Sequence, residues 1–290
     1  MKSFAPYFLP PAALVLLVTL GVGLALDRAE LDKLQVYEST FLTNGADAVF
    51  STLSHPLQHL RGLLREPAIN QALQAPPGQA RTLMGQHLLT LAIRNPLYDQ
   101  VRWLSATGLE LARVNATPAG PVIVPEGDLQ DKSARYYVQE AMRLAPGAIY
   151  LSPLDLNVEQ AVVEVPYKPM IRMAIRLPVV DGRDQGLLVI NYLAQSLLDH
   201  LRRLIPSDHE PHPMLLNPQG YWLLAPDPAD AWGFMFGRDA TLGQRHPQEW
   251  ARISAQADGQ VLTASGLWSW TTIDPAHLQA GSVQRAEVWK

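Results

Sequence analysis

The sequence predicts an α+β fold: an N-terminal transmembrane helix, a long helix, and then two tandem antiparallel-sheet domains. Three observations predict it. No charged residue interrupts the 23-residue stretch from Phe4 to Leu26, and a bilayer core takes roughly 20 apolar residues in helix. From Asp27 to Gln74 apolar residues return at helical spacing (Leu31, Leu34, Phe41, Leu42, Val49, Phe50, Leu53, Leu57, Leu60, Leu64). Beyond Tyr98 the texture changes to short apolar runs separated by glycine turns, and one such hairpin pattern recurs further on. The resulting division is a cytoplasmic tip and membrane helix (1–26), a long helix (27–75), a first sheet domain (76–205) and a second (206–290).

Each element follows from local chemistry. Lys2 alone carries charge ahead of the apolar stretch and favours a cytoplasmic N-terminus with the rest exported. An uncleaved anchor and a cleaved signal peptide both fit; the length of the stretch and the helical pattern that follows favour the anchor. Pro56 and Pro67 are expected to kink or break the long helix. Ala75-Pro76-Pro77-Gly78 is a breaker, Gln79–Arg94 a helix, and Asn95-Pro96 its stop. Val101–Leu104 and Leu109–Val114 read as strands joined at Gly108. Ser133–Leu144 reads as a helix, Ile149–Ser152 as a strand, and Met170–Val180 with Gly186–Tyr192 as a hairpin turned at Asp181-Gly182-Arg183-Asp184. Ala194–Leu204 is a helix, and Pro206–Pro213 a linker. Aligning Gly108 with Gly220 lays Ser105–Leu109 on Asn217–Tyr221, strand, glycine turn and strand in both. Gln260–Thr263 and Leu267–Ile273 are the later strands of that second copy.

Composition narrows the function. The chain of 290 residues is 48% hydrophobic and 17% charged, which supports a packed core. Its net charge of −4 argues against a nucleic-acid binder, which would normally carry a basic face or stripe. The absence of cysteine excludes disulfides, thiol catalysis and cysteine-based zinc sites. No nucleophile elbow, P-loop, zincin or dinucleotide motif is present, so no cofactor is expected. His55 and His59 stand at i, i+4, a spacing that can hold zinc, but no third ligand is near and Pro56 lies between them; two solvated histidines is the favoured reading. His209 and His212 in the linker are read the same way. The tryptophans of the second domain read as core.

The strings VRWLSATGLELARVN (Val101–Asn115), LQDKSARYYVQEA (Leu129–Ala141), IYLSPLDLNVE (Ile149–Glu159), KPMIRMAIRLPV (Lys168–Val179) and LLNPQGYWLLAPDP (Leu215–Pro228) resemble the double Cache, or tandem PAS-like, sensor domain. Such domains occur in bacterial diguanylate cyclases, sensor histidine kinases and chemoreceptors, and the similarity is greatest to the group that precedes diguanylate cyclase modules. The resemblance spans the chain after the anchor. It implies a single anchor in the bacterial inner membrane, a periplasmic sensor, and an output module that is not encoded here: no GG[DE]EF string or kinase ATP-binding box occurs. The chain is thus expected to be the sensor part of a longer protein or a truncated product.

The candidate site combines cationic and phenolic groups. Lys132, Arg135, Tyr136 and Tyr137 lie around a helix start, with Lys132 and Arg135 three apart so that they can share a face. Arg suits a carboxylate, and Tyr offers a hydroxyl on a rigid body. Read from the residues alone, exposed charges beside two core tyrosines is the favoured reading; the resemblance reverses it, because it implies that this helix covers a ligand pocket. Arg102, Tyr150, Ser152 and Arg172 on the strands, with Asp155 in the loop, would then form its floor. An Asp155 that receives an amino group suits an amino acid. An Asp155 that pairs with Arg172 or Lys168 suits a plain carboxylate. Arg245 is placed on the surface of the second domain. The function expected is a sensory module for a small polar ligand, amino acid or carboxylate, held in the membrane by the N-terminal helix and homodimeric through the long helix. An anchored periplasmic hydrolase-like enzyme or a periplasmic scaffold is the alternative.

Overall fold

The computed structural model describes residues 5–159, 162–204, 213–278 and 283–290, with side chains from residue 13 onward except at 277, 284 and 285. Helix α1 runs unbroken from Ala5 to Leu63, α2 spans Pro67–Gln74 and α3 spans Pro77–Arg94. Pro56 therefore does not break α1. A proline inside a helix removes one hydrogen bond and crowds the preceding turn, but Leu53, Leu57 and Leu60 around it are fully buried, and that burial holds the helix together. The break comes at Glu66, where Pro67 sits in the first turn of α2 and its missing N–H costs nothing.

The expected membrane stretch begins outside the described residues. Among those described, no helix is long and apolar enough to cross a membrane. Leu14, Val15, Leu16, Leu17 and Val18 are nevertheless 57–71% exposed, so this end of α1 has apolar side chains on every face and no protein packed against them.

The first sheet is built from β1 (Tyr98–Leu104), β2 (Glu110–Asn115), β3 (Val122–Ile123), β4 (Ile149–Leu151) and β5 (Asp155–Leu156). A small ribbon follows, β6 (Val158–Glu159) with β7 (Val162–Val163). Then come β8 (Pro169–Arg176), a second ribbon of β9 (Val179–Val180) and β10 (Arg183–Asp184), and β11 (Leu187–Leu193). The order across the sheet is β3-β2-β1-β11-β8-β4, with β5 also on β8. Helix α4 covers Tyr136–Met142 and α5 covers Gln195–Arg203. One face of the sheet packs under α1 and α3; the other carries α4.

Two expected elements are shorter than the pattern suggested. Strand Met170–Val180 stops at Arg176, because Pro178 has no N–H for the ladder. Helix Ser133–Leu144 starts only at Tyr136: Asp131 Oδ1 accepts from Ser133 N at 2.7 Å and Arg135 N donates to Lys132 O at 2.9 Å, so residues 131–135 turn instead. Lys132 and Arg135 accordingly do not share a helix face.

The second half holds β12 (Leu215–Leu216), β13 (Trp222–Leu224), α6 (Leu242–Arg245), α7 (Pro247–Ala255), β14 (Gly259–Thr263) and β15 (Gly266–Trp270). The expected linker falls almost wholly on residues 205–212, outside those described. The turns at Gly108 and Gly220 match bond for bond. Ser105 N donates to Leu109 O and Gly108 N to Ser105 O at 2.8 and 3.0 Å; Asn217 N donates to Tyr221 O and Gly220 N to Asn217 O at 3.0 and 2.9 Å. Both glycines have positive φ, 89° and 83°. The surroundings also match in order. Leu216 exchanges both backbone bonds with Lys290, and Ile273, just past β15, exchanges both with Trp289. The second half thus runs β13, β12, Trp289–Lys290, the β15 strand, β14, which parallels β2, β1, β11, β8, β4 in the first. The chain crosses between halves once more: β16 (Val283–Arg285) pairs parallel with β4 before Trp289 and Lys290 return to the second half.

The two glycines give a comparative expectation. A Cβ on Gly108 would lie 2.6 Å from the Ser133 backbone, whereas one on Gly220 meets only the Trp250 ring at 3.1 Å. A left-handed non-glycine costs about 1–3 kcal/mol by itself. Gly108→Ala is therefore expected to lower stability by more than Gly220→Ala, as read from urea midpoints; equal losses would mean that the Ser133 segment yields freely.

Candidate functional site

The face of the first sheet beneath α4 is divided between apolar and polar halves. Leu104, Tyr150, Ala174, Leu187 and Val189 pack with Tyr137, Val138 and Ala141 of α4. The register then puts Arg102 opposite Val189 and Arg172 opposite Asn191 on that same face. Strands β1 and β8 flank β11, so the backbones of Arg102 and Arg172 stand about 12 Å apart, two strand spacings across and two residues along.

One end of the polar half is organised by Arg172, which is only 2% exposed. Its Nη1 donates to Asp155 Oδ1 at 2.5 Å, and Nη2 reaches Asn157 Oδ1 at 3.4 Å. The guanidinium lies 5.3 Å from the centre of the Tyr137 ring. Tyr136 donates its hydroxyl to Asp155 Oδ2 at 2.7 Å. The Tyr136 ring is 39% exposed, yet the hydroxyl is turned inward, and burial followed by the Asp155 charge raises its pKa far above the ordinary phenol range. Burial, then Asp155, also pushes the Tyr150 phenol up, to about 12. Despite its desolvation, Arg172 is held fully charged, above all by Asp155. Ser152 is spent on the backbone: its Oγ accepts from Arg172 N and donates to Pro153 O, both at 2.8 Å.

The other end is cationic. Arg102 Nη1 donates to Asn191 Oδ1 at 3.0 Å, and its Nε lies 3.0 Å from Glu110 Oε1. Arg113, opposite Arg102 on β2, donates to Glu110 Oε2 at 2.8 Å, and Gln130 N does so at 2.9 Å. Glu110, whose side chain is wholly buried, is clamped between two guanidiniums, which leaves one positive charge in the trio. Half-buried Lys132 adds another: its Nζ donates to Gln130 Oε1 at 2.6 Å, and desolvation followed by Arg102 depresses its pKa. Arg135, in the N-cap position of α4, is half-buried and has no ion pair among the described residues.

The structure thus brings Tyr136, Tyr137, Tyr150, Asp155 and Arg172 together at one end and Arg102 and Lys132 at the other. Glu110, Arg113, Asn157 and Asn191 belong to the same polar half and were missed by sequence reasoning. A buried Asn in the apolar run Leu187–Leu193 was the signal available for Asn191. Arg245 lies on the surface of the second half, as expected. It is 49% exposed but not idle, since it grips Asp230 with both terminal nitrogens and lies 5.1 Å over the Trp222 ring.

Other chemistry is thinner. The His55 and His59 rings lie 4.2 Å apart, tilted by 60°, and His59 Nδ1 is 2.7 Å from the Tyr98 hydroxyl. Among the described residues no group of three metal-ligating side chains converges. His209 and His212 lie outside them. Trp222, Trp232 and Trp270 are buried in the second half, and Phe234, Trp250 and Trp268 pack half-buried against the same core, whereas Phe236 is 38% exposed.

A profile of the bacterial histidine kinase sensor domain matches residues 49–280, most of the chain. The protein belongs to the bacterial histidine kinase sensor domain family. That family supplies extracytoplasmic sensor parts of membrane receptors, so the chain is a sensory module of signal transduction and not an enzyme. Solved structures share the fold. The domain of a sensory box/GGDEF family protein from Vibrio parahaemolyticus is 18% identical over 87% of this chain and 94% of that one, with a TM-score of 0.69. The extracellular domain of the histidine kinase vpHK1S-Z8 is 19% identical over 87% and 91%, with a TM-score of 0.62. The ligand-binding domain of the Pseudomonas fluorescens chemoreceptor CtaA, in complex with L-alanine, is 18% identical over 88% and 94%, with a TM-score of 0.53. No curated protein sequence matches the chain.

Proposed function

We propose that this sensory module binds a small amino acid on the polar half-face beneath α4, in the first of two PAS-like units (76–205 and 206–290). One observation carries the reading: a carboxylate end, Asp155 with Tyr136 and Tyr150, and a cationic end, Arg102, Lys132 and Arg113, share one sheet face, two strand spacings across and two residues along from one another. That spacing and polarity suit a molecule with an ammonium at one end and a carboxylate at the other. Arg135 at the start of α4 is assigned to the ligand carboxylate, Tyr137 to the wall, and Ser152 to shaping the floor through its backbone bonds. The L-alanine held by the CtaA domain, which shares the fold, supports the class.

A plain carboxylate is the second reading, and the Asp155–Arg172 pair favours it. Against it, each Asp155 oxygen spends one lone pair on Arg172 or Tyr136, and a carboxylate has about four acceptor sites, so room remains for an ammonium. Calorimetry on the full chain in neutral detergent separates the two: L-alanine and its larger homologues should bind, and propionate should bind at least tenfold more weakly. Equal binding by propionate would select the plain carboxylate, and binding by neither class would remove the site.

The same proposal places the chain in the inner membrane, with the N-terminal part of α1 as the anchor and residues after Leu26 in the periplasm. The charge-free run from Phe4 to Leu26 and the exposure of Leu14 to Val18 on all sides support it. Exposed Leu34 and Val36 on α1 support pairing with a second copy. Alkaline phosphatase fused after Lys290 should be active and membrane-bound.

A further inference from the structure

The opposite face of the first sheet holds a second polar feature. A cleft of about 420 Å³ opens where α1, α3 and α5 meet the ends of β1 and β11. Four basic side chains from three helices line it: His55 of α1, Arg94 of α3, and His200 and Arg203 of α5. Hydroxyls of Ser51, Thr52, Tyr98, Tyr192 and Ser196 line it as well, and no carboxylate does among the described residues. The nearby Asp199 is engaged elsewhere, with Arg202 at 3.0 Å and Gln195 at 2.8 Å.

The charge pattern is unusual for this chain. The protein carries a net −4, yet this cleft collects two permanent positive charges and two imidazoles with no carboxylate in its lining; an acid, Glu66, lines an adjoining hollow that shares His55 and Arg94. Arg94 and Arg203 each stand in the last turn of a helix, where the macrodipole favours a cation. That accounts for each arginine singly. It does not account for two helix C-termini delivering their cations into one cleft alongside His55, His200 and five hydroxyls. Arg94 and Arg203 are exposed and make no ion pair among the described residues, so their forks are open to a solute.

We propose that this cleft is a second binding site, for a multiply charged oxyanion of the phosphate type. The planar arginine fork donates two parallel hydrogen bonds to such a group, and the imidazole and hydroxyl donors complete the shell. The volume is within the range of small-molecule sites. The anion would tie α1 to α3 and α5, and so bias the helix that leads to the N-terminus. A lipid headgroup carries the same chemistry but is out of reach. Ser51 lies 25 residues beyond Leu26 on continuous helix, about 38 Å at 1.5 Å per residue.

The test uses the full chain in neutral detergent micelles, with inorganic phosphate as the probe and sodium chloride at equal ionic strength as the reference. Phosphate should raise the melting temperature where chloride does not. Arg94→Ala and Arg203→Ala should each weaken phosphate binding at least tenfold, and the double variant should lose it. Replacing both by lysine, which keeps charge but not the fork, should give an intermediate loss and guards against a folding defect. Asp155→Asn, in the amino-acid site, should leave phosphate binding unchanged, so this proposal and that one fail separately. A double alanine variant with wild-type affinity, phosphate no better than chloride, or stabilisation by added anionic phospholipid alone would each overturn the assignment.

Discussion

Arg172→Ala is expected to lower the unfolding free energy by about 3–5 kcal/mol, the cost of breaking a buried ion pair from one side. The guanidinium is almost wholly buried and serves Asp155, Asn157 and the Tyr137 ring together. Removing it leaves Asp155 with a single donor, Tyr136, in a poorly hydrated place. Replacing both partners should cost much less than the single change, because no uncompensated charge remains; Arg172→Met with Asp155→Leu is the appropriate pair. Urea denaturation of the single and double variants decides it. A single-variant loss below about 1 kcal/mol, the scale of an exposed pair, would show that Arg172 is not structural.

Asp155→Asn is expected to weaken amino-acid binding by at least about thirtyfold. A charge-assisted partner lost from a buried site costs about 2–5 kcal/mol, and each 1.4 kcal/mol is tenfold. The amide keeps the shape and one acceptor for Arg172, so the fold should survive where alanine would strand the guanidinium. Arg135→Ala, at the carboxylate end, should cost at least tenfold. Arg245 cannot serve as the inert control, since it holds Asp230 and covers Trp222. Arg143 is suitable: it is exposed and, among the described residues, pairs only with its neighbour Glu140, and Arg143→Ala should leave affinity unchanged. Calorimetry on the three variants reads the result, and wild-type affinity in both Asp155→Asn and Arg135→Ala would mean that the ligand sits elsewhere.

Two signals marked the site in the sequence: the cationic and phenolic cluster Lys132, Arg135, Tyr136 and Tyr137 around a helix start, and the resemblance, which set Arg102, Tyr150, Ser152, Asp155 and Arg172 beneath that helix. Their partners were harder to see. Glu110 and Arg113 break strand alternation because the ladder shifts register between Trp103 and Leu104, which brings both to bear on Arg102. Asn157 lies in a loop whose course depends on β6 and β7. Lys132 and Arg135 looked like one helix face because spacing alone cannot reveal that Asp131 captures the Ser133 amide and delays the helix.

The sequence by itself determined what acts over a few residues: the long apolar-periodic helix, the strands, and the matched turns at Gly108 and Gly220, where a positive φ and two backbone bonds demand glycine. The tertiary structure decided what depends on competition for burial between distant segments. It kept α1 intact through Pro56, because the leucines on either side gain more from the core than one lost hydrogen bond costs. It sent Val283–Arg285 to the edge of the first sheet and Trp289–Lys290 into the middle of the second. It also set Arg172 against Asp155, because a guanidinium taken out of water must find its counter-charge wherever the fold has placed one.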